Sequence, residues 1–324
     1  MKTVLITGGY GLVGTSLVYY LLKKNFKIVI IDHQRKKRKK AFKSIKNLKV
    51  INGNFVNKKT LDKLFKKFKF DGVFHLGAKT QVLDALKNPF KTYETNVIGT
   101  LNLIEKIREN KTKIPFIYSS SDFIYSSYKK KDLKKKKNFF LENDKFEPGL
   151  PYETSKSSSD LICQSYSKTF DLKVGIVRST NIYGPNDNNS NRIVPETIIS
   201  ALKNKKLLIR SSGKLKRDYL FVEDACLAYF LIFQKLSNKK LKKNLLIYNL
   251  SSNYNFTTIQ IVRLIYKLLK KKPNYLIKNI SNNESQSKRL SFGKIRKEVK
   301  WSPKTGIEEG LKKTINWYTE NFRQ

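Results

Sequence analysis

The sequence predicts an α/β fold, a doubly wound parallel sheet with a smaller C-terminal α/β lobe, on three observations. Short apolar runs alternate with amphipathic helical stretches through the first half of the chain, the pattern of repeated βαβ units. Glycines cluster directly after the first apolar run, and an acid closes the second. A length of 324 residues is enough for two packed units. The expected division is 1–180 for the first unit, with returns from about 219–250, and 181–324 mainly for the second.

The elements follow in order. Residues 2–7 read as a buried strand, 11–24 as a helix and 27–32 as a second strand. A short third strand is expected at 50–52, a helix at 61–69 and a fourth strand at 72–76. A long helical stretch contains 93–110, and 114–119 is a fifth strand. The lysine-rich, low-complexity run 129–137 reads as a solvated loop. A helix from about 152 to 170 precedes a sixth strand at 173–178. After Tyr183-Gly184-Pro185 the regular alternation breaks, which marks the second lobe.

Composition excludes several classes. No window approaches the roughly 18 apolar residues of a spanning helix, and the N-terminal apolar stretch is too short for a signal peptide. Cys163 and Cys226 lie in apolar-periodic segments and read as core residues, not a disulfide. Two histidines and two cysteines without a cluster give no zinc pattern, and no metal is expected. The expectation is a soluble cytoplasmic protein that does not enter a membrane. A net charge of +42 points by itself toward nucleic acid. Yet the lysines are spread along the chain beside abundant Asn, Ile, Phe and Tyr, and no nucleic-acid module is present. Solvated faces account for the charge, and a basic surface also draws in phosphorylated ligands. A basic nucleic-acid-binding protein is the reading from another class.

Thr7-Gly8-Gly9-Tyr10-Gly11-Leu12-Val13-Gly14 lies between the first strand and first helix. Its glycines allow a tight turn, let backbone touch a pyrophosphate and aim a helix N-terminus at negative charge. Gly8, Tyr10, Gly11, Leu12 and Gly14 are therefore cofactor-binding candidates. Asp32 follows Gly14 by eighteen residues, where a carboxylate accepts from the adenosine ribose hydroxyls. That carboxylate repels a 2′-phosphate and favours NAD over NADP, although Arg35-Lys36-Lys37-Arg38 next to it pulls the other way. The predicted fold is thus a Rossmann-type sheet that binds NAD.

Tyr152 and Lys156 stand four apart on a predicted helix and share one face. A free phenol near pKa 10 is too weakly acidic to act as a base at neutral pH. A neighbouring ammonium and a positive nicotinamide ring are expected to lower it, so that the phenolate takes a hydroxyl proton while hydride leaves carbon. Ser119-Ser120-Ser121-Asp122 ends the fifth strand, the edge where ligands bind in open α/β sheets. Ser121 is the candidate hydroxyl shared by substrate and Tyr152. The plainer reading of these serines is a turn or cap.

With these motifs the chain resembles the extended short-chain dehydrogenases/reductases, specifically the NAD-dependent nucleotide-sugar epimerases and dehydratases. The resemblance also runs through Phe74-His75-Leu76-Gly77-Ala78 and Tyr93-Glu94-Thr95-Asn96-Val97-Ile98-Gly99-Thr100. Further on it includes Arg178-Ser179-Thr180-Asn181-Ile182-Tyr183-Gly184-Pro185 and Arg217-Asp218-Tyr219-Leu220-Phe221-Val222-Glu223-Asp224. It implies that Asn54 and Phe55 flank the adenine, with Asn54 where the family usually has Asp. Leu76 and Ala78 line the cofactor channel and Asn96 holds that region, unless Asn96 is a helix cap. Ser119, Tyr152 and Lys156 complete the cofactor contacts. Asn181, Arg192 and Arg217 form the substrate set, Asn181 and Arg217 on the diphosphate. The implied assembly is a homodimer through helices near 83–110 and 152–170.

Within the family the shared first step is oxidation at sugar C4. A 4-epimerase then returns the hydride to the other face, whereas a 4,6-dehydratase first eliminates water across C5–C6. The dehydratases place Asp-Glu, or Asp-Lys in the cytidine-linked branch, after the catalytic hydroxyl; this chain has Ser121-Asp122-Phe123. Asp122 can serve as the acid, but Phe123 moves no proton. The expectation is therefore 4-epimerisation, with 4,6-dehydration and 4-keto-sugar reduction as alternatives.

Overall fold

The computed structural model describes residues 1–33, 42, 45–125, 139–252, 254–280 and 287–322. The runs 35–38 and 129–137, singled out above for their charge, lie outside the described residues.

The strands are β1 (Thr3–Thr7), β2 (Lys27–Asp32), β3 (Leu48–Asn52), β4 (Gly72–His75), β5 (Phe116–Ser119), β6 (Val174–Ser179), β7 (Asn181–Tyr183), β8 (Leu207–Ile209), β9 (Lys216–Phe221), β10 (Leu245–Leu250), β11 (Asn255–Thr257), β12 (Tyr275–Ile277) and β13 (Ser287–Lys288). The helices are α1 (Leu12–Lys23), α2 (Lys58–Lys67), α3 (Val82–Lys87), α4 (Pro89–Tyr93), α5 (Gly99–Glu109), α6 (Pro151–Phe170), α7 (Ile193–Leu202), α8 (Val222–Ser237), α9 (Thr258–Leu268), α10 (Gly293–Val299) and α11 (Ile307–Phe322).

Seven strands form the main sheet in the order β3-β2-β1-β4-β5-β6-β10. Every pairing in it is parallel, so both faces need helical cover. On one face α1 and α8 bring Leu17, Val18, Leu21, Ala225, Tyr229, Ile232 and Phe233 onto the sheet. On the other, α2, α5 and α6 bring Leu61, Leu64, Leu103, Ile104, Ile107 and Cys163. Each large apolar side chain so buried contributes about 1.5–3 kcal/mol. Strand order reverses between β1 and β4, and Thr7 faces His75 in register there. A crevice at the carboxyl ends beside such a reversal is where these sheets bind ligands.

The second lobe is built on β9, which pairs with β7, β11 and β13, with β8 and β12 as a separate parallel pair. Its core joins Val194, Ile198, Ile261, Ile265, Leu311 and Ile315 to Tyr219 and Phe221. No helix among the described residues is long and apolar enough to cross a membrane, and Cys163 and Cys226 are buried free thiols.

Three strand or helix starts differ from the expectation by two residues or more. The fifth strand starts at Phe116, because Pro115 has no amide to give the ladder and contributes only its carbonyl, to the Val73 amide. The second helix starts at Lys58, where the Asn57 side chain accepts from the Thr60 amide at 3.1 Å, a cap that outweighs the apolar period beginning at Leu61. The third strand begins two residues early, at Leu48, paired with Ile28.

Candidate active site

The glycine turn joins β1 to α1 at the reversal. Gly8 has φ +69°, and a Cβ there would stand 2.7 Å from the Gly77 backbone. A Cβ on Gly14 would stand 2.1 Å from the Gly8 carbonyl. Both positions therefore exclude side chains, which brings bare backbone and the start of α1 to the crevice. Gly11 caps α1, and its amide donates to the Gly8 carbonyl at 3.0 Å. Tyr10 and Leu12 are buried beside it. Asp32 ends β2, and its carboxylate accepts from the Tyr10 amide at 3.4 Å. This cradle and its acid fit a dinucleotide: backbone and helix terminus for the diphosphate, Asp32 for the ribose.

The floor of the crevice is held by one hydrogen-bond chain. The Gly77 amide donates to Thr7 Oγ1 at 3.0 Å, so the Thr7 hydroxyl gives its proton to His75 Nδ1 at 2.7 Å. His75 Nε2 then donates to Thr100 Oγ1 at 2.9 Å, and Thr100 to the Asn96 carbonyl at 2.5 Å. Burial, with the Lys156 charge second, holds His75 down to about 3. It is a neutral strut that fixes the end of β4, where Leu76 and Ala78 lie half-buried. Phe55 packs edge-on to the His75 ring at 5.1 Å, and the Asn54 side chain closes the turn before it by accepting from the Val56 amide at 3.0 Å.

Asn96 is not a helix cap. It sits in a π-helical turn, Glu94–Ile98, between α4 and α5, a local widening of the kind found at functional sites. Its side chain accepts from the Lys79 amide at 2.8 Å and donates to the Lys79 carbonyl at 3.0 Å and to Ser155 Oγ at 2.9 Å. It thus ties the loop after β4 to α6.

Pro151 opens α6, and Tyr152 next to it and Lys156 one turn further on point to the end of β5. Lys156 Nζ donates to the Ser119 carbonyl and lies 4.5 Å from the centre of the Tyr118 ring. Burial lowers its ammonium to about 8, while Cys163 and Asp160 hold it up. Ser119 also accepts from the Tyr229 hydroxyl at 2.8 Å. Ser121 caps a short 3₁₀ turn, accepts from the Phe123 amide at 3.2 Å and donates to Asp122 Oδ1 at 3.2 Å. Phe123 packs edge-on against Tyr152 at 5.8 Å.

The Tyr152 phenol stands above its ordinary value, first because it is buried. The Ser121 hydrogen bond lowers it, Asp122 raises it and Arg192 lowers it, in that order of size. Lys156 is committed to the Ser119 carbonyl and is not among the main causes. Ser119, Ser121, Asp122, Tyr152 and Lys156 are thus gathered at one point, with the charge of Arg192 reaching it from the second lobe. Arg192 is itself paired with Asp187 at 3.3 Å. Asn181 donates to the Asp218 carbonyl at 3.5 Å, and Arg217 lies half-buried on β9 with its guanidinium donating to the Lys216 carbonyl at 2.9 Å.

Sequence reading missed a buried network beneath the serines. Arg178 forms a two-pronged pair with Asp160, at 3.0 and 2.9 Å, and donates to the Tyr125 hydroxyl at 2.8 Å and the Glu142 carbonyl at 2.7 Å. Asp160 also accepts from Ser120 at 2.7 Å. Arg178 belonged to a quoted motif, but no spacing signals a partner eighteen residues away on a helix.

Residues 4–251 match the family model described as NAD dependent epimerase/dehydratase family. The chain is 29% identical to a dTDP-glucose 4,6-dehydratase of Haemophilus influenzae, over 99% of both chains. It is 28% identical to a human dTDP-D-glucose 4,6-dehydratase, over 99% of this chain and 91% of that one. Among solved structures, a Bacillus anthracis dTDP-glucose 4,6-dehydratase in complex with NAD superposes with TM-score 0.85 at 27% identity, covering 100% and 98% of the chains. A Thermotoga maritima UDP-glucose 4-epimerase with UDP-glucose superposes with TM-score 0.87 at 24% identity, covering 99% of each, and shows the shared fold. The matched family model, the glycine cradle and the serine–tyrosine–lysine cluster agree: this chain is an NAD-dependent enzyme and belongs to the NAD dependent epimerase/dehydratase family.

Proposed function

We propose that the chain is a nucleotide-sugar 4,6-dehydratase. The observation that carries this is the carboxyl of Asp122, 3% exposed and hydrogen-bonded to Ser121 at the centre of the site. Burying a carboxyl is costly, and epimerisation has no use for one, whereas loss of a hydroxyl as water needs an acid. The preference for 4-epimerisation rested on Phe123; the similarity to dehydratases over the full chain supports the dehydratase alternative instead.

NAD, when bound, would supply a positive ring that accepts the C4 hydride and later gives it back to C6. The phenol of Tyr152, hydrogen-bonded to Ser121, takes the proton of the C4 hydroxyl once that ring offsets the effect of burial. Lys156, anchored on Ser119, orients the same face of α6. In the elimination the C5–H bond breaks and its electrons form C5=C6, while the C6–O bond breaks. A single protonated carboxyl serves both ends: one oxygen of Asp122 gives its proton to the departing hydroxyl, and the other takes the proton from C5. Water leaves with the count of protons on Asp122 unchanged, so no second acid is needed where Phe123 stands; return of the hydride to C6 while Asp122 gives C5 a proton makes the C6 methyl, and solvent takes the proton held by Tyr152 and restores that of Asp122. Asn181 and Arg217 are assigned to the substrate diphosphate and Arg192 to the substrate, and the basic surface favours its approach.

The test is NMR of the product from a panel of nucleotide-activated glucoses. A new C6 methyl signal supports dehydration; a retained hydroxymethyl group with inverted C4 refutes it. The same reading assigns a second copy of the chain to the apolar surface of Leu83, Leu86, Phe90, Ile98 and Leu161, which are 44–80% exposed on helices that pack together. Sedimentation showing only monomer at micromolar concentration refutes that assignment.

A further inference from the structure

Helix α8 packs on the main sheet through one stripe, Ala225, Cys226, Tyr229, Ile232, Phe233 and Leu236, each at most 1% exposed. Tyr229 is the member of that stripe with a hydroxyl. Phe or Leu would serve the packing, and a buried hydroxyl costs free energy unless it is hydrogen-bonded. Its Oη donates to Ser119 Oγ at 2.8 Å. Side chains alternate across a strand: Tyr118 lies in the core under α5 and α6, so Ser119 turns to the opposite face, where Tyr229 lies. The Ser119 carbonyl accepts from Lys156 Nζ on α6. The last residue of β5 is thus gripped from both faces of the sheet.

The direction of the Tyr229 bond fixes what Ser119 can do. Burial pushes the Tyr229 phenol up, so the phenol keeps its single proton at neutral pH and gives it to Ser119. A serine hydroxyl has one proton and two lone pairs. With a lone pair occupied by Tyr229, the Ser119 proton points elsewhere, and it meets no protein acceptor among the described residues. Ser119 is half-buried at the carboxyl end of β5, on the crevice. Asp32 ends β2, the glycine cradle follows β1 and Ser119 ends β5, in the strand order β2-β1-β4-β5. At about 4.8 Å per strand, Ser119 stands about 14 Å across the sheet from Asp32, beyond the cradle. A dinucleotide with its adenosine ribose at Asp32 and its diphosphate in the cradle has its nicotinamide end at β5.

We propose that Tyr229 is a positioning residue for the cofactor: by donating to Ser119 it turns the Ser119 hydroxyl into a donor for the carboxamide oxygen of the nicotinamide. That oxygen is the strong acceptor on this ring. The role rests on the assignment to an NAD-dependent family and is independent of which reaction follows.

The experiment titrates the full chain by calorimetry with NAD and with ADP-ribose, which has the adenosine, diphosphate and second ribose but no nicotinamide. Tyr229→Phe keeps the ring and removes the hydroxyl. It should weaken NAD binding about 3- to 10-fold, the worth of one hydrogen bond, and leave ADP-ribose within about twofold of wild type. Ser119→Ala should do the same. In the Ser119→Ala background Tyr229→Phe should add less than about twofold, because the residue through which it acts is gone. Equal weakening of both ligands, unchanged NAD affinity, or the same loss with and without Ser119 overturns the proposal. Should Tyr229→Phe not fold, Ser119→Ala decides alone: NAD binding as in wild type, or ADP-ribose weakened as much as NAD, overturns it.

Discussion

Replacing Arg178 by Met tests the buried network that supports the catalytic serines. Arg178 and Asp160 are 1% and 0% exposed in their side chains and make two parallel hydrogen bonds. Met fills similar volume but leaves the Asp160 carboxylate buried with, among the described residues, only Ser120 and Gln164 as side-chain donors. Removing one partner of such a pair costs about 3–5 kcal/mol. At an unfolding entropy of roughly 2.1 cal/mol/K per residue, a chain of 324 residues loses about 0.7 kcal/mol per kelvin, so Tm should fall by about 4–7 °C. Differential scanning calorimetry reads the shift. Adding Asp160→Asn to the variant removes the stranded charge and keeps an acceptor for Ser120, so it should recover roughly half of the loss. A Tm drop below about 1 °C, or a double variant as unstable as the two single losses added together, refutes the reasoning.

Three further outcomes follow from the site. Tyr152→Phe removes the proton acceptor and should lower turnover by at least about 100-fold, while the dissociation constant for NAD by calorimetry stays within about threefold; retained turnover refutes the assignment. Asp32→Ala should raise affinity for NADP relative to NAD at least about 10-fold, measured by titration with both dinucleotides, since the carboxylate that repels a 2′-phosphate is gone. His75 is held at about 3, against an ordinary 6.5. Between those values the unfolded chain binds a proton that the fold does not. Its contribution is therefore whole above pH 6.5 and is lost as pH falls, by about 1.4 kcal/mol per pH unit. Urea unfolding at pH 7 and pH 5 should show this slope in wild type and a smaller one in His75→Gln; equal slopes contradict it.

Much of the fold and part of the site were legible in the sequence because they depend on neighbours along the chain. The turn from Gly8 to Gly14, Asp32 at the end of a strand, and Tyr152 one helical turn from Lys156 are local patterns with local physical reasons. What the sequence withheld depends on residues far apart. Asn96 and Ser155 are fifty-nine positions apart and meet only through the π-helical turn. Lys156 lies near Tyr152 in sequence, yet its ammonium is taken by the Ser119 carbonyl, and burial rather than that charge sets the direction for the phenol. Asp218 stood beside Arg217 in a motif of the second half, and nothing in the spacing said that its carboxyl crosses to Ser251. Boundaries shifted where a single residue, Pro115 or Asn57, overrode the apolar period.

The most direct test of the dehydratase assignment is mass spectrometry of a nucleotide-sugar panel incubated with the enzyme and NAD in heavy water. The account predicts a product lacking the elements of one water and carrying solvent deuterium at C5, delivered from Asp122. An isomer with the composition of its substrate, separable only by chromatography, contradicts it and leaves the buried carboxyl of Asp122 without the role assigned to it.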